Sequence, residues 1–152
     1  MKYLLIILIC YFSLTTNYIV NCSENNISWP VNDGFVINAF GQNKHYLLNN
    51  VLFDNPGIDI ATYKELEVMS IFDGYVYDII YIKNNDIIII IKHGAYTSIY
   101  ANIEKLYLKK GEFVKNKQKI GIIKKYSHKI RVIKLIIMKE YEIINPMQWF
   151  VF

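Results

Sequence analysis

Thiols are nearly absent from this chain. Of its two cysteines, Cys10 falls inside an apolar N-terminal run and Cys22 just after it. If that run is removed after export, no disulfide can form within the chain, which excludes a cystine-stapled fold. Histidine is almost as scarce: His45, His93 and His128 lie in three separate segments and show no metal-ligand spacing. Helical signal is also missing, with only Ala61 to Glu67 favouring a helix. No aromatic-interleaved basic motif is present, which argues against nucleic acid as a partner. Acidic residues thin out along the chain, and nine of the thirteen precede Asn102.

What is present starts with Met1-Lys2 and an almost wholly apolar run from Tyr3 to Leu14, closed by Thr15-Thr16-Asn17. That run is too short to cross a bilayer comfortably and fits a secretory signal. Residues 1–22 are therefore expected to be a signal peptide or an N-terminal anchor. Residues 23–152 are expected to be one domain, with its core at about 30–150, working in the periplasm or cell envelope. No small-x-small pair marks a cleavage site before Asn25. Cys22 invites a lipoprotein reading, which the bulky Asn21 before it opposes. The sequons at Asn21 and Asn26 matter only in a eukaryotic secretory route. A chain of 152 residues, 53% hydrophobic and 15% aromatic, can bury a sizeable core. Lysines crowd the stretch from Lys105 to Lys139 and leave a net charge of +4. That basic half could face an acidic polymer or be an ordinary solvated surface.

The rest of the chain reads as strands. Phe35 to Phe40 is a short strand closed by Gly41, and His45 follows in a polar loop. Val68 to Phe72 is short and apolar. Tyr75 to Ile82 fills both parities with Tyr, Val and Ile, which predicts a strand covered on both faces. Lys83 to Asp86 is a hairpin loop. Ile87 to Ile91 predicts a central strand buried on both sides. Tyr96 to Ala101 pairs back. Tyr107-Leu108, Phe113-Val114, Ile120 to Ile123 and Ile130 to Met138 complete the set, and Asn145-Pro146 ends the sheet. Short strands with turns this close together predict an all-β fold, an antiparallel sheet or sandwich.

At the centre stands Asn55-Pro56-Gly57-Ile58-Asp59-Ile60-Ala61. Pro-Gly sets a turn, and Ile58 and Ile60 alternate with Asp59 on a short strand. The carboxylate then points to the face opposite the isoleucines. It could be a ligand, a base, a buried-charge partner or an acid on a solvated face. This element resembles the His-x-Gly-x-Asp-x-Ala motif of the lysostaphin-type (LytM) zinc endopeptidases, which cleave peptidoglycan cross-bridges. Further matches follow in the family's order: Trp29-Pro30-Val31, Phe40-Gly41, Asp73-Gly74-Tyr75-Val76, and Ile91-Lys92-His93-Gly94 through Tyr100-Ala101-Asn102. Then come Lys110 to Gly121, with Lys117 where the family has glycine, and Asn145-Pro146. The likeness covers roughly residues 30 to 150.

The resemblance implies where a site would be. The family's zinc ligands map to Asn55, Asp59 and Lys134, and its assisting histidines to Asn102 and Val132, the Val132 and Lys134 positions being counted back from Asn145-Pro146. Only Asp59 keeps the family's residue. Catalytic zinc wants about three protein ligands and an open water position. An amide is a poor ligand and an ammonium repels the ion, so no cofactor is expected. Neither Asn102 nor Val132 can act as acid or base at neutral pH. His93 reads as an ordinary hydrogen-bonded histidine, His45 as a loop residue, and His128 could approach Lys134 only through a register shift. Lys134 could place its ammonium where zinc's charge would sit and pair with Asp59, or it could reach to solvent. Domains of this type without metal resemble the murein hydrolase activators, whose groove docks a cell-wall amidase during cell separation. The resemblance thus implies a partner groove formed by Asn55, Asp59, Asn102, Val132 and Lys134. The alternatives are a peptidoglycan-binding or vestigial domain, and a working zinc endopeptidase.

Overall fold

A computed structural model describes residues 27–45, 48, 50–64, 66–127 and 129–150. The N-terminal segment 1–22, Cys22 and His128 lie outside the described residues. Among the described residues twelve strands run β1 (Phe35–Asn38), β2 (Gly41–Lys44), β3 (Leu52–Asn55), β4 (Ile58–Thr62), β5 (Glu67–Met69) and β6 (Gly74–Ile82). They continue as β7 (Asp86–His93), β8 (Tyr96–Leu106), β9 (Phe113–Val114), β10 (Lys119–Ile123), β11 (Arg131–Lys139) and β12 (Glu142–Ile144). Every pairing is antiparallel. The fold is all-β, as the short alternating segments predict.

The main sheet is ordered β1-β4-β11-β8-β7-β6-β9, with β12 on β11 and with β10 bridging β8 and β5. A separate hairpin, β2-β3, leads into the turn before β4. Isoleucine dominates the core: Ile58 and Ile60 on β4, Ile89 and Ile91 on β7, Ile103 on β8 and Ile133 on β11 are fully buried. Burying each such side chain contributes on the order of 2 kcal/mol, which makes β4 and β11 the most firmly held parts of the site.

Several expectations are corrected. The first strand stops at Asn38, and Gly41, with φ +87°, opens β2 rather than closing β1. The described residues of Ala61 to Glu67 form no helix: they hold the end of β4, a bend and the start of β5, because pairing with β1 and β11 overrides a weak local preference. Tyr107-Leu108 is not a strand, and a β11-β12 hairpin turns at Glu140 before Asn145-Pro146. β6 is not covered on both faces. Tyr77, Ile80, Tyr81 and Ile82 are exposed, and only Gly74 and Tyr75 pair with the edge strand β9. β7 is fully buried on one face only, through Ile87, Ile89 and Ile91, while Ile88 and Ile90 are half-buried.

Two of the family-like motifs hold the ends together. Asn145 caps a one-turn 3-10 helix begun by Pro146, its side chain accepting from the Met147 amide at 3.0 Å. Just beyond, Trp149 packs edge-on to Tyr96, and Phe150 edge-on to Trp29 of the Trp-Pro segment. Lys117, at the family's glycine position, keeps the left-handed backbone with φ +64°.

Gly57 fixes how closely the β3-β4 turn approaches β11. A Cβ there would overlap the Leu135 carbonyl oxygen and press on the Ile136 side chain. That carbonyl belongs to a strand in the middle of the sheet and cannot retreat. Gly57→Ala is expected to destabilise the domain by about 1–3 kcal/mol, measured as a lower urea midpoint with an unchanged slope.

Candidate functional site: a cleft over β4 and β11

The register of the sheet assembles the site. Asp59 is the direct cross-strand partner of Lys134, and Lys134 is flanked on its other side by Ala101. Opposed residues share a face of the sheet, so Asp59 and Lys134 both leave the isoleucine core behind and point to the same side. Asn102 joins them through a bulge. Between Tyr100 and Ile103, β8 carries one residue more than β7 does between Ile87 and Ile89, and Asn102 takes φ +69°. Asparagine tolerates this conformation better than most residues.

These side chains line an open cleft of about 450 Å³, together with Ile37, Asn38, Tyr126 and Val132. Asp59, Asn102, Val132 and Lys134 thus meet in one cleft. Asn55 lies at its base, 2% exposed, tied to both charged residues. Asp59 is buried, which overturns the reading of it as an acid on a solvated face.

The bonding is specific. Lys134 Nζ lies 2.7 Å from Asp59 Oδ1 and donates to Asn55 Oδ1 at 2.7 Å. Asp59 Oδ1 receives no hydrogen bond of good angular geometry, so what compensates it is the charge of the adjacent ammonium. Asp59 Oδ2 accepts from Asn38 Nδ2 at 2.8 Å and from Asn55 Nδ2 at 3.3 Å. Asn55 Oδ1 also accepts from the Gly57 amide at 3.2 Å, an Asx turn over Pro56 that holds the amide in place. Removing one member would strand the others in a poorly solvated place.

Asn38, Ile37 and Tyr126 were not among the sequence-derived site residues. Asn38 gave no signal in the sequence, because it meets Asp59 through a register irregularity after Val36. Tyr126 sits on an irregular loop that offers no periodic signal.

The described histidines lie elsewhere. His93 is buried, its Nδ1 donating to the Asp73 carbonyl at 2.8 Å and its Nε2 accepting from Ser98 Oγ at 2.6 Å. Burial pushes its pKa down to about 4. His45 stands beyond β2, its Nδ1 accepting from the Leu48 amide at 3.2 Å. Among the described residues no three His, Cys, Asp or Glu side chains converge. The donor set of the cleft does not fit a divalent zinc ion: it offers one carboxylate, already held by an ammonium, and amides.

A family model for peptidase family M23 matches residues 53–146. This chain belongs to that family. The M23 domain is similar to SpoIIQ in a SpoIIQ–SpoIIIAH pore-forming complex, at TM-score 0.67 and 20% identity, covering 84% of this chain and 92% of that one. It is similar to a zinc-containing peptidase from Vibrio cholerae, at TM-score 0.65 and 21% identity, covering 78% of this chain and 38% of that one. It is also similar to Csd3 of Helicobacter pylori, at TM-score 0.66 and 21% identity, covering 83% of this chain and 35% of that one. At these identities the likeness is one of fold. The M23 domain spans little more than a third of the Vibrio and Helicobacter chains. No curated protein matches it.

His93 makes stability depend on pH. Its folded pKa lies below the ordinary 6.5, so neutral imidazole gives its full contribution above about pH 6.5 and loses it as pH falls through about 4. The loss is on the order of 3 kcal/mol. Denaturant titrations from pH 7 to 4 should show this decline, and His93→Gln should flatten it.

Proposed function

We propose that this M23 domain recognises a partner rather than cleaving peptide bonds, and that the partner is a cell-wall amidase which it activates during cell separation. The observation that carries the reading is the Lys134 ammonium, set between Asp59 and Asn55 at the centre of the cleft. A positive charge already sits against the one carboxylate. Among the described residues no histidine lines the cleft, which leaves it without the imidazole that most often serves as general base. A built, hydrogen-bonded cleft is more than an eroded site needs, which favours binding over a vestige. The SpoIIQ–SpoIIIAH complex has the same fold assembled with another protein, which supports a partner-binding use.

In this reading residues 1–22 direct export or anchor the chain, and the domain acts in the envelope. No helix among the described residues is long and apolar enough to cross a membrane. The partner groove is formed by Asn55, Asp59, Asn102, Val132 and Lys134, and zinc is not part of the working protein. Contact with anionic wall polymer through the lysine-rich half is the competing use.

Metal content tests the first part. The purified protein, equilibrated with zinc and dialysed, should retain well under one equivalent. The double variant Asn55→His, Lys134→His should gain close to one. Zinc near one equivalent in the unmodified protein, with chelator-sensitive cleavage of wall peptides, would revive the endopeptidase.

A second assay tests the partner. The domain should capture a purified amidase from the same cell and raise its release of dye from labelled sacculi several-fold, and Asn102→Gly should weaken capture. Salt-sensitive sacculus binding with no amidase contact would turn the conclusion to the wall polymer.

A further inference from the structure

The arrangement around Lys134 leaves one donor uncommitted. An ammonium carries three N–H groups. One donates to Asn55 Oδ1 at 2.7 Å, while Asp59 Oδ1 faces the same nitrogen at 2.7 Å as an ion pair without a well-aligned hydrogen bond. The lysine side chain is 29% exposed, and it lines the cleft, so even with Asp59 counted as a partner an N–H is left for whatever enters. Asp59 Oδ1 is itself out of solvent contact. A molecule in the cleft therefore meets the cation before the anion behind it.

Two more polar groups face the same space. The Asn102 side chain makes no hydrogen bond among the described residues; the residue is held through its backbone, whose carbonyl accepts from the Lys124 amide at 2.7 Å. Its left-handed backbone aims an unspent amide at the cleft, and residues kept in sparsely populated conformations cluster at binding sites. Tyr126 adds a hydroxyl from an exposed loop. Ile37 and Val132 supply apolar wall. The loop that brings Tyr126 to the cleft also carries Lys125 and Lys129, which pair with no acid among the described residues, so it is a positively charged segment that favours an anion nearby. A cleft of about 450 Å³ suits a few peptide residues.

We propose that the cleft is a carboxylate-binding site for a short peptide segment, with Lys134 as the charged anchor and Asn102 and Tyr126 as the orienting groups. A metal in this place would polarise a neutral carbonyl, whereas a tethered ammonium selects a full negative charge. The carboxylate could be a free peptide C-terminus or an acidic side chain within a partner's segment. This deepens, and rests on, the reading of the cleft as a recognition site.

The test uses two matched pairs of peptides on the full chain. One pair is acetyl-Ala-Ala with a free carboxylate and its C-terminal amide. The other is acetyl-Ala-Glu-Ala-amide and its Gln counterpart. Affinity is read by titration, with the Asn102 side-chain NH2 resonances followed by NMR. The acid of at least one pair should bind tenfold or more tightly than its neutral mate and shift the Asn102 signals. The pair that responds identifies the source. Lys134→Gln should erase the preference, Lys134→Arg should keep it, and Asn102→Gly, which suits the positive φ, should weaken binding with the fold intact. Equal binding of acid and neutral peptide, no binding by any of the four, or a preference that survives Lys134→Gln would each overturn the proposal. If amidase capture fails while the preference stands, the activator reading falls and this inference does not. Capture without any preference has the opposite meaning.

Discussion

A buried carboxylate beside a lysine organises this molecule. Asp59 sits on a strand whose five residues are all buried, where an unpaired charge would cost several kcal/mol. The register that places Lys134 opposite it is therefore not free to slip. A shift of β11 by one residue would turn the lysine into the isoleucine core and leave the acid alone. The Asx turn of Asn55, the close approach at Gly57 and the second amide from Asn38 all support the same pair. Polar and apolar constraints agree on one register, which is what gives a sheet of this size a single arrangement.

Much of the fold was legible in the sequence, for identifiable reasons. The isoleucine parity of β4, the turn residues at Asp73-Gly74 and Gly94, and the closing Asn145-Pro146 each have a local cause and land where expected, as does β7 as a strand, though not its burial on both faces. The failures were non-local. Whether both faces of β6 are covered depends on what packs over the sheet from elsewhere in the chain, and nothing within Tyr75 to Ile82 records that. The weak helical preference after Ala61 was overruled by strands arriving from elsewhere. The β11-β12 hairpin turns at Glu140 with a positive φ, a residue type that gives no turn warning.

The site was legible in a different way. Motif order marked Asn55, Asp59, Asn102, Val132 and Lys134, and four of them line one cleft with the fifth at its base. What motif order could not supply was the company they keep. Asn38 reaches Asp59 across β1 and β4 only because of a register irregularity after Val36, and Tyr126 arrives on an irregular loop. The β8 bulge at Asn102 is likewise invisible in composition, although it determines where that amide points.

The lysine that answers Asp59 is covalently attached, and this changes how the molecule responds to its surroundings. A counter-charge taken up from solution stabilises a protein by mass action, so its benefit rises and falls with the free concentration of the ion. One carried on the neighbouring strand is always within reach. The pairing of β4 with β11 thus carries its own counter-charge, present from the moment the two strands meet and at the same effective concentration in every compartment.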